Sequence, residues 1–187
     1  MPNKTKGAER REKMRDSLFP GEEPWLGAKE VGWFRAPRTL PLILGLIDSK
    51  QLSGRLRPSP VYLELWARDM GEGFIEIKDE QEHAYGSGYS GSRALRTWQE
   101  RMRTLEKLGF IKIKQVQNRI YGCVLLVHPA AVIEGLLKDG KINKTWVDTY
   151  TVRQIETKEL TLEERRKSRE AAAKVIPLKD RRAAQKK

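Results

Sequence analysis

Apolar and polar positions alternate with two different periods along this chain, and the change from one to the other is sharpest between residues 92 and 127. Leu95, Trp98, Met102, Leu105 and Leu108 recur three or four residues apart, which is one stripe of an α-helix. Ser92 is a fitting N-cap, and Gly109 suits a chain leaving a helix through the left-handed region. The pattern predicts a helix over 92–108 whose other face carries Arg93, Arg96, Thr97, Gln99, Arg101, Arg103 and Lys107. After Gly109 the period becomes two, predicting a hairpin with strands over 110–116 and 120–127. Gln117-Asn118-Arg119 supplies its turn, with Asn118 suited to positive φ.

The flanking pattern is less regular. Residues 1–23 carry mixed charge and few hydrophobes and read as a mobile arm with transient helicity, followed by two aromatic anchors, Trp25 and Trp33. A buried helix is expected from Thr39, its N-cap, to about Gln51, with Pro41 in the first turn. Arg55, Arg57, Pro58 and Pro60 break it, and Ser59 is expected to cap a helix running to Met70. A short strand over 74–77 and a weakly apolar helix over 79–85 come next. Beyond the hairpin, Pro129 opens a helix with Val132, Ile133, Leu136 and Leu137 on one face. That face either packs on its own domain or makes a homodimer. Residues 141–156 fit strand and helix equally, and Thr161-Leu-Glu-Glu164 is a capping-box signature for a charged helix ended by Pro177.

The run Leu105-Glu-Lys-Leu-Gly-Phe-Ile111 resembles the end of the recognition helix in many bacterial winged helix-turn-helix DNA-binding domains, with Thr97, Trp98 and Met102 where those place a threonine and two core hydrophobes. The resemblance covers roughly residues 60–128 and identifies a superfamily, not a single family. It implies an α+β, mainly helical chain: an N-terminal arm over 1–37, a winged-helix domain over 38–140, and a linker with a basic helical tail over 141–187. It further implies sequence-specific binding of double-stranded DNA, with recognition helix 92–108 in the major groove and wing 110–127 on the backbone or minor groove. The roles that fit are a transcriptional regulator or a plasmid or phage replication or partition factor. On that implication the contacts are Ser92, Arg93, Arg96, Thr97, Gln99 and Arg103 on the helix, Lys112, Lys114, Asn118 and Arg119 on the wing, and Arg55 and Arg57 in the preceding loop. An RNA-binding protein, or a structural adaptor making protein contacts through the 129–138 face and the C-terminal helix, stays open.

Charge favours a nucleic acid or an anionic membrane as partner, with solvated surface charge as the plain alternative. The chain is 187 residues long with a formal charge of +12. Its excess rises along the sequence, from +2 over 1–37 and +4 over 38–156 to +6 over 157–187. Residues 1–20 lack the apolar run of a signal peptide, and the run Leu40–Ile47 is too short to span a bilayer, so a cytoplasmic protein without membrane contact is expected. Gly86, Gly88 and Gly91 spell G-x-G-x-x-G before a helix, but the polar stretch 78–84 stands where a nucleotide loop needs a buried strand. His83, His128 and Cys123 are isolated and lack zinc-ligand spacing. No nucleophile sits in a recognisable catalytic context. Neither an enzyme, nor a cofactor, nor a metal is expected.

Overall fold

A computed structural model describes residues 6–21, 34 and 36–174. Trp25, Trp33 and Pro177 lie outside them. The chain divides into two compact units, Met1–Trp33 and Phe34–Lys187. In the first, the expected arm contains a helix, α1 (Lys6–Leu18).

The second unit is α+β and mainly helical. Its elements are α2 (Leu40–Ile47), α3 (Lys50–Ser53), α4 (Ser59–Arg68), β1 (Phe74–Glu76), α5 (Glu80–Gly86), α6 (Ala94–Leu108), β2 (Ile111–Val116), β3 (Arg119–Leu126), α7 (Pro129–Lys138), α8 (Lys144–Thr157) and α9 (Leu162–Lys174). The three strands form one antiparallel sheet in the order β1-β3-β2. β1 pairs Phe74, Ile75 and Glu76 with Leu125, Val124 and Cys123, so an element preceding α5 is tied to the strand that follows α6. Ile43, Ile47, Val61, Tyr62, Leu65, Trp98, Met102, Leu105, Phe110, Val124 and Ile133 are buried together in one core. Within it Tyr62 meets Phe110 edge-on at 5.4 Å, and Trp98 meets Tyr121 the same way at 5.2 Å.

Several expected helix starts are made differently. The apolar run after Thr39 is two helices, α2 and α3, because the chain turns at Asp48 and Ser49. Thr39 makes no side-chain cap of its own. Instead its N–H and Oγ1 donate to Glu159 at 3.1 and 2.7 Å, so a carboxylate 120 residues away closes the start of α2. Thr39 is thus the N-cap position expected, whereas Ser59 is the first helical residue and not the cap: its N–H and Oγ donate to Asp48 at 3.0 and 2.6 Å. The sequence could not reveal either pairing, since both partners come from other elements. The Thr161–Glu164 capping box forms as expected, with the Thr161 N–H donating at 2.8 Å and the Glu164 N–H returning a bond at 3.3 Å.

Of the ambiguous residues 141–156, those from Lys144 on are helical, and 140 is not the end of the packed unit. Ile142, Tyr150 and Gln154 are buried, and Trp146 stacks on Tyr150 at 5.1 Å. The α7 face also resolves: Val132, Ile133 and Leu136 pack on their own unit, with Leu137 outside.

The hairpin is shifted by one residue from expectation. Its turn is Gln117-Asn118, and the positive φ, 54°, falls on Gln117 and not on Asn118. The pairing slips between Lys114 and Val116, and Gly122 lies against the slip. A Cβ at Gly122 would stand 2.7 Å from the Val116 Cβ and 2.8 Å from its backbone nitrogen. Gly122→Ala is therefore expected to cost about 1–3 kcal/mol, read as a lowered urea midpoint, because the bulged backbone has no room to yield.

Burial also creates an alkaline liability. Desolvation pushes the Tyr62 phenol up to about 12, against a small opposing effect from Trp66. The unfolded chain releases this proton near 10 while the folded chain holds it, so stability drains as pH rises from about 10 to 12. The whole loss is about 2–3 kcal/mol. Tyr62→Phe is expected to change stability by less than about 1 kcal/mol at pH 7. In urea titrations above pH 10 it should hold that stability where the parent loses it.

Candidate nucleic-acid interface

α6 is the element that organises the exposed basic surface. It starts at Ala94, and its N-cap is Arg93, in the right-handed region and without a side-chain cap bond; Ser92 lies one position before it. Ala94, Trp98, Met102 and Leu105 are the buried stripe, with Leu95 and Leu108 on its shoulders. At 100° per residue, Arg96, Arg103 and Lys107 share the opposite line, and Arg93 stands beside it. The helix ends where Gly109 turns left-handed at φ 87°, which lets the Phe110 N–H reach the Leu105 carbonyl at 3.0 Å and throws the chain directly into β2.

α5 is tied to α4 through polar chemistry that its sparse apolar content concealed. Its buried residues are His83 and Ala84. The His83 ring nitrogen Nδ1 shares a 3.0 Å hydrogen bond with Glu64 of α4, and both side chains are inside. The other Glu64 oxygen takes Arg68 at 2.5 Å, and Arg68 reaches Glu82 at 2.9 Å. Gly86 brings the α5 backbone onto this carboxylate, since a Cβ there would lie 3.1 Å from Glu64 Oε1. The aliphatic face expected of a partner helix is thus replaced by a closed hydrogen-bonded network. Residues 87–93 connect α5 to α6, a longer link than the three- or four-residue turn of a tight helix-turn-helix.

The candidate residues separate into two groups. Arg93 and Arg96 are exposed, and neither has a hydrogen bond or ion pair among the described residues. Ser92 is exposed beside them, and Thr97 is half-buried. Lys112 and Lys114 are also exposed and unpaired among the described residues, on the sheet face that bears Leu125 and Cys123. Cys123 is consequently half-buried on the outer side. Asn118 is exposed at the hairpin tip, and Arg55 and Arg57 are exposed in the loop before α4. Tyr89 links that loop to the α5–α6 connection by donating to the Arg57 carbonyl at 3.5 Å.

The second group is already engaged within the fold. Gln99 donates to Glu80 at 2.8 Å, which pins α6 to the start of α5. Arg103 donates from Nε to the Tyr121 hydroxyl at 3.0 Å. Arg119 donates to the Ile77 carbonyl at 3.0 Å and faces Glu76 at 3.6 Å, bracing β3 against the end of β1. Arg101 pairs with Glu100 at 2.6 Å and lies over the Tyr89 ring, 5.8 Å from its centre. Burial pushes the Tyr89 phenol up, the Arg101 cation opposing it, so the ring remains neutral at ordinary pH.

Two residues outside the expected contacts bear on this surface. Lys107, which the helical period already put on this face, extends the Arg96–Arg103 line. Glu100 interrupts the same face, although its carboxylate is occupied by Arg101. Among the described residues no group of three or more His, Cys, Asp or Glu could hold a metal ion, and no helix is long and apolar enough to cross a membrane. Comparison with known proteins finds no matching family model, no matching curated protein and no matching solved structure.

Proposed function

We propose that residues 59–126 act as a winged helix-turn-helix that binds double-stranded DNA in a sequence-dependent way. The order α4-β1-α5-α6-β2-β3 with sheet order β1-β3-β2 is what supports assigning α6 as the probe and β2-β3 as the wing. The observation that carries the reading is the pair Arg93 and Arg96: two exposed guanidinium groups at the start of a rigidly packed helix, with no partner among the described residues. Cations held in this way without a carboxylate suit the phosphates and guanine edges of a duplex.

The labour divides by engagement. Arg93 and Arg96 reach the major groove. Lys107, Lys112, Lys114, Arg55 and Arg57 neutralise phosphates and release counterions. Gln99, Arg103 and Arg119 hold the helix and ribbon at their angles. A regulatory role, or one in plasmid or phage replication or partition, is consistent with such a module.

Fluorescence titration of a mixed-sequence duplex, the matching single strand and a duplex RNA tests the class of polymer. Duplex DNA is expected to bind tightest. If about six phosphates are contacted, its affinity falls about a thousandfold between 50 and 200 mM salt. Preference for RNA or single strands, or a salt-independent affinity, would overturn the reading.

A further inference from the structure

The sheet has two faces, and only one of them is closed. Ile75, Ile111 and Val124 turn inward and are buried in the core. Strand register fixes what the other face bears. Phe74, Leu125 and Lys112 lie side by side in one cross-strand row, and Glu76, Cys123 and Lys114 in the next. With neighbouring strands about 4.8 Å apart, the aromatic edge on β1 and the lysine edge on β2 are separated by roughly 10 Å.

Two features set this face apart from an ordinary wet one. Phe74 and Leu125 stand directly opposite each other and are 49% and 45% exposed, an apolar pair at the centre and edge of the sheet. Its charge is also one-sided. The Glu76 carboxylate faces Arg119 at 3.6 Å, whereas Lys112 and Lys114 have no hydrogen bond or ion pair among the described residues. A second copy laid face to face would bring these lysines against a surface whose one carboxylate is already engaged, so the charge disfavours self-association. An exposed ring beside unpaired ammonium groups is the chemistry that holds unpaired nucleotides: a base stacks on the ring while phosphates meet the cations. A duplex keeps its bases inside and offers Phe74 nothing to stack on.

We infer that this outer face binds an unpaired stretch of the nucleic acid whose duplex part lies on α6. One base stacks on Phe74 beside Leu125, and Lys112 and Lys114 meet the phosphates that follow. The inference rests on the duplex reading and adds to it a single-stranded contact, so that the preferred partner is a junction between duplex and single strand.

Anisotropy titration of the full chain compares a blunt duplex, the same duplex carrying a short thymidine tail, and oligothymidine alone. The tailed duplex is expected to bind about tenfold more tightly than the blunt one. Phe74→Leu, which keeps apolar area and removes the ring, should erase that advantage and leave the blunt-duplex affinity as it is. Phe74→Trp should restore it. Equal affinity for tailed and blunt duplexes, or an advantage that Phe74→Leu leaves unchanged, would overturn the inference while the duplex reading stands. Failure of the blunt duplex to bind would strike the duplex reading instead. Oligothymidine bound in a Phe74-dependent way would then still support the stacking face, and oligothymidine left unbound would overturn it. A dimer in sedimentation that Phe74→Leu dissociates would give the face to a second copy and overturn the inference equally.

Discussion

Trp98→Ala is expected to lose about 3–5 kcal/mol of stability, a large share of what holds a domain of this size together. Trp98 has no exposed surface, and it sits where α5, α6 and β3 meet. Its ring contacts Tyr121 at 5.2 Å and lies 6.1 Å from the His83 ring. Truncation leaves a void that cannot collapse, because His83 is held by Glu64 and Tyr121 by Arg103. Urea unfolding followed by circular dichroism checks this, and a midpoint within about 0.5 kcal/mol of the parent would remove Trp98 from the centre of the fold. Any loss of nucleic-acid binding in this variant should track the loss of fold.

Arg96→Ala is the contrasting case. Arg96 is exposed and has no partner among the described residues, so its removal should change stability by less than about 0.5 kcal/mol. On the preferred duplex it is expected to cost about 1–3 kcal/mol, and to relax selectivity at one base pair. Arg93→Ala combined with it should cost more than either alone. Lys112→Ala serves as the control: an exposed cation on the outer sheet face should weaken all duplexes alike and lower the salt dependence by about one counterion. If Arg96→Ala also weakened every sequence equally, Arg96 would be a phosphate contact and base reading would have to come from another residue.

Elements whose apolar residues repeat with one period were legible in the chain. α6, with Trp98 inside and Gly109 at its end, and the β2-β3 hairpin lie within two residues of their expected bounds. The turn residue was misjudged because Asn118 tolerates positive φ by its own chemistry, whereas the slip at Val116, opposite Gly122, determines which residue must adopt it. Helix starts were legible in position at Thr39, the N-cap of α2, and one residue off at Ser59, but in neither case in partner. Glu159 and Asp48 reach their backbones from elsewhere, and no local pattern reports a partner 120 residues distant. α5 read as weak because its core side chain is a histidine, apolar in position and polar in kind.

The candidate site was legible in composition and less so in engagement. Sequence spacing puts Gln99, Arg103 and Arg119 on wet faces, as it does Arg93 and Arg96. Only in the fold do Glu80, Tyr121 and Ile77 take the first three. The same distinction applies to α7, whose Val132, Ile133 and Leu136 are covered by their own unit, since helical period alone does not say what covers an apolar stripe.

Selection from a random pool of duplex DNA by the immobilised full-length chain tests the central claim most directly. The account predicts an enriched sequence, with one position relaxed when Arg96→Ala repeats the selection. A pool that stays random, or one enriched identically by the parent and by the Arg93→Ala/Arg96→Ala pair, would contradict it.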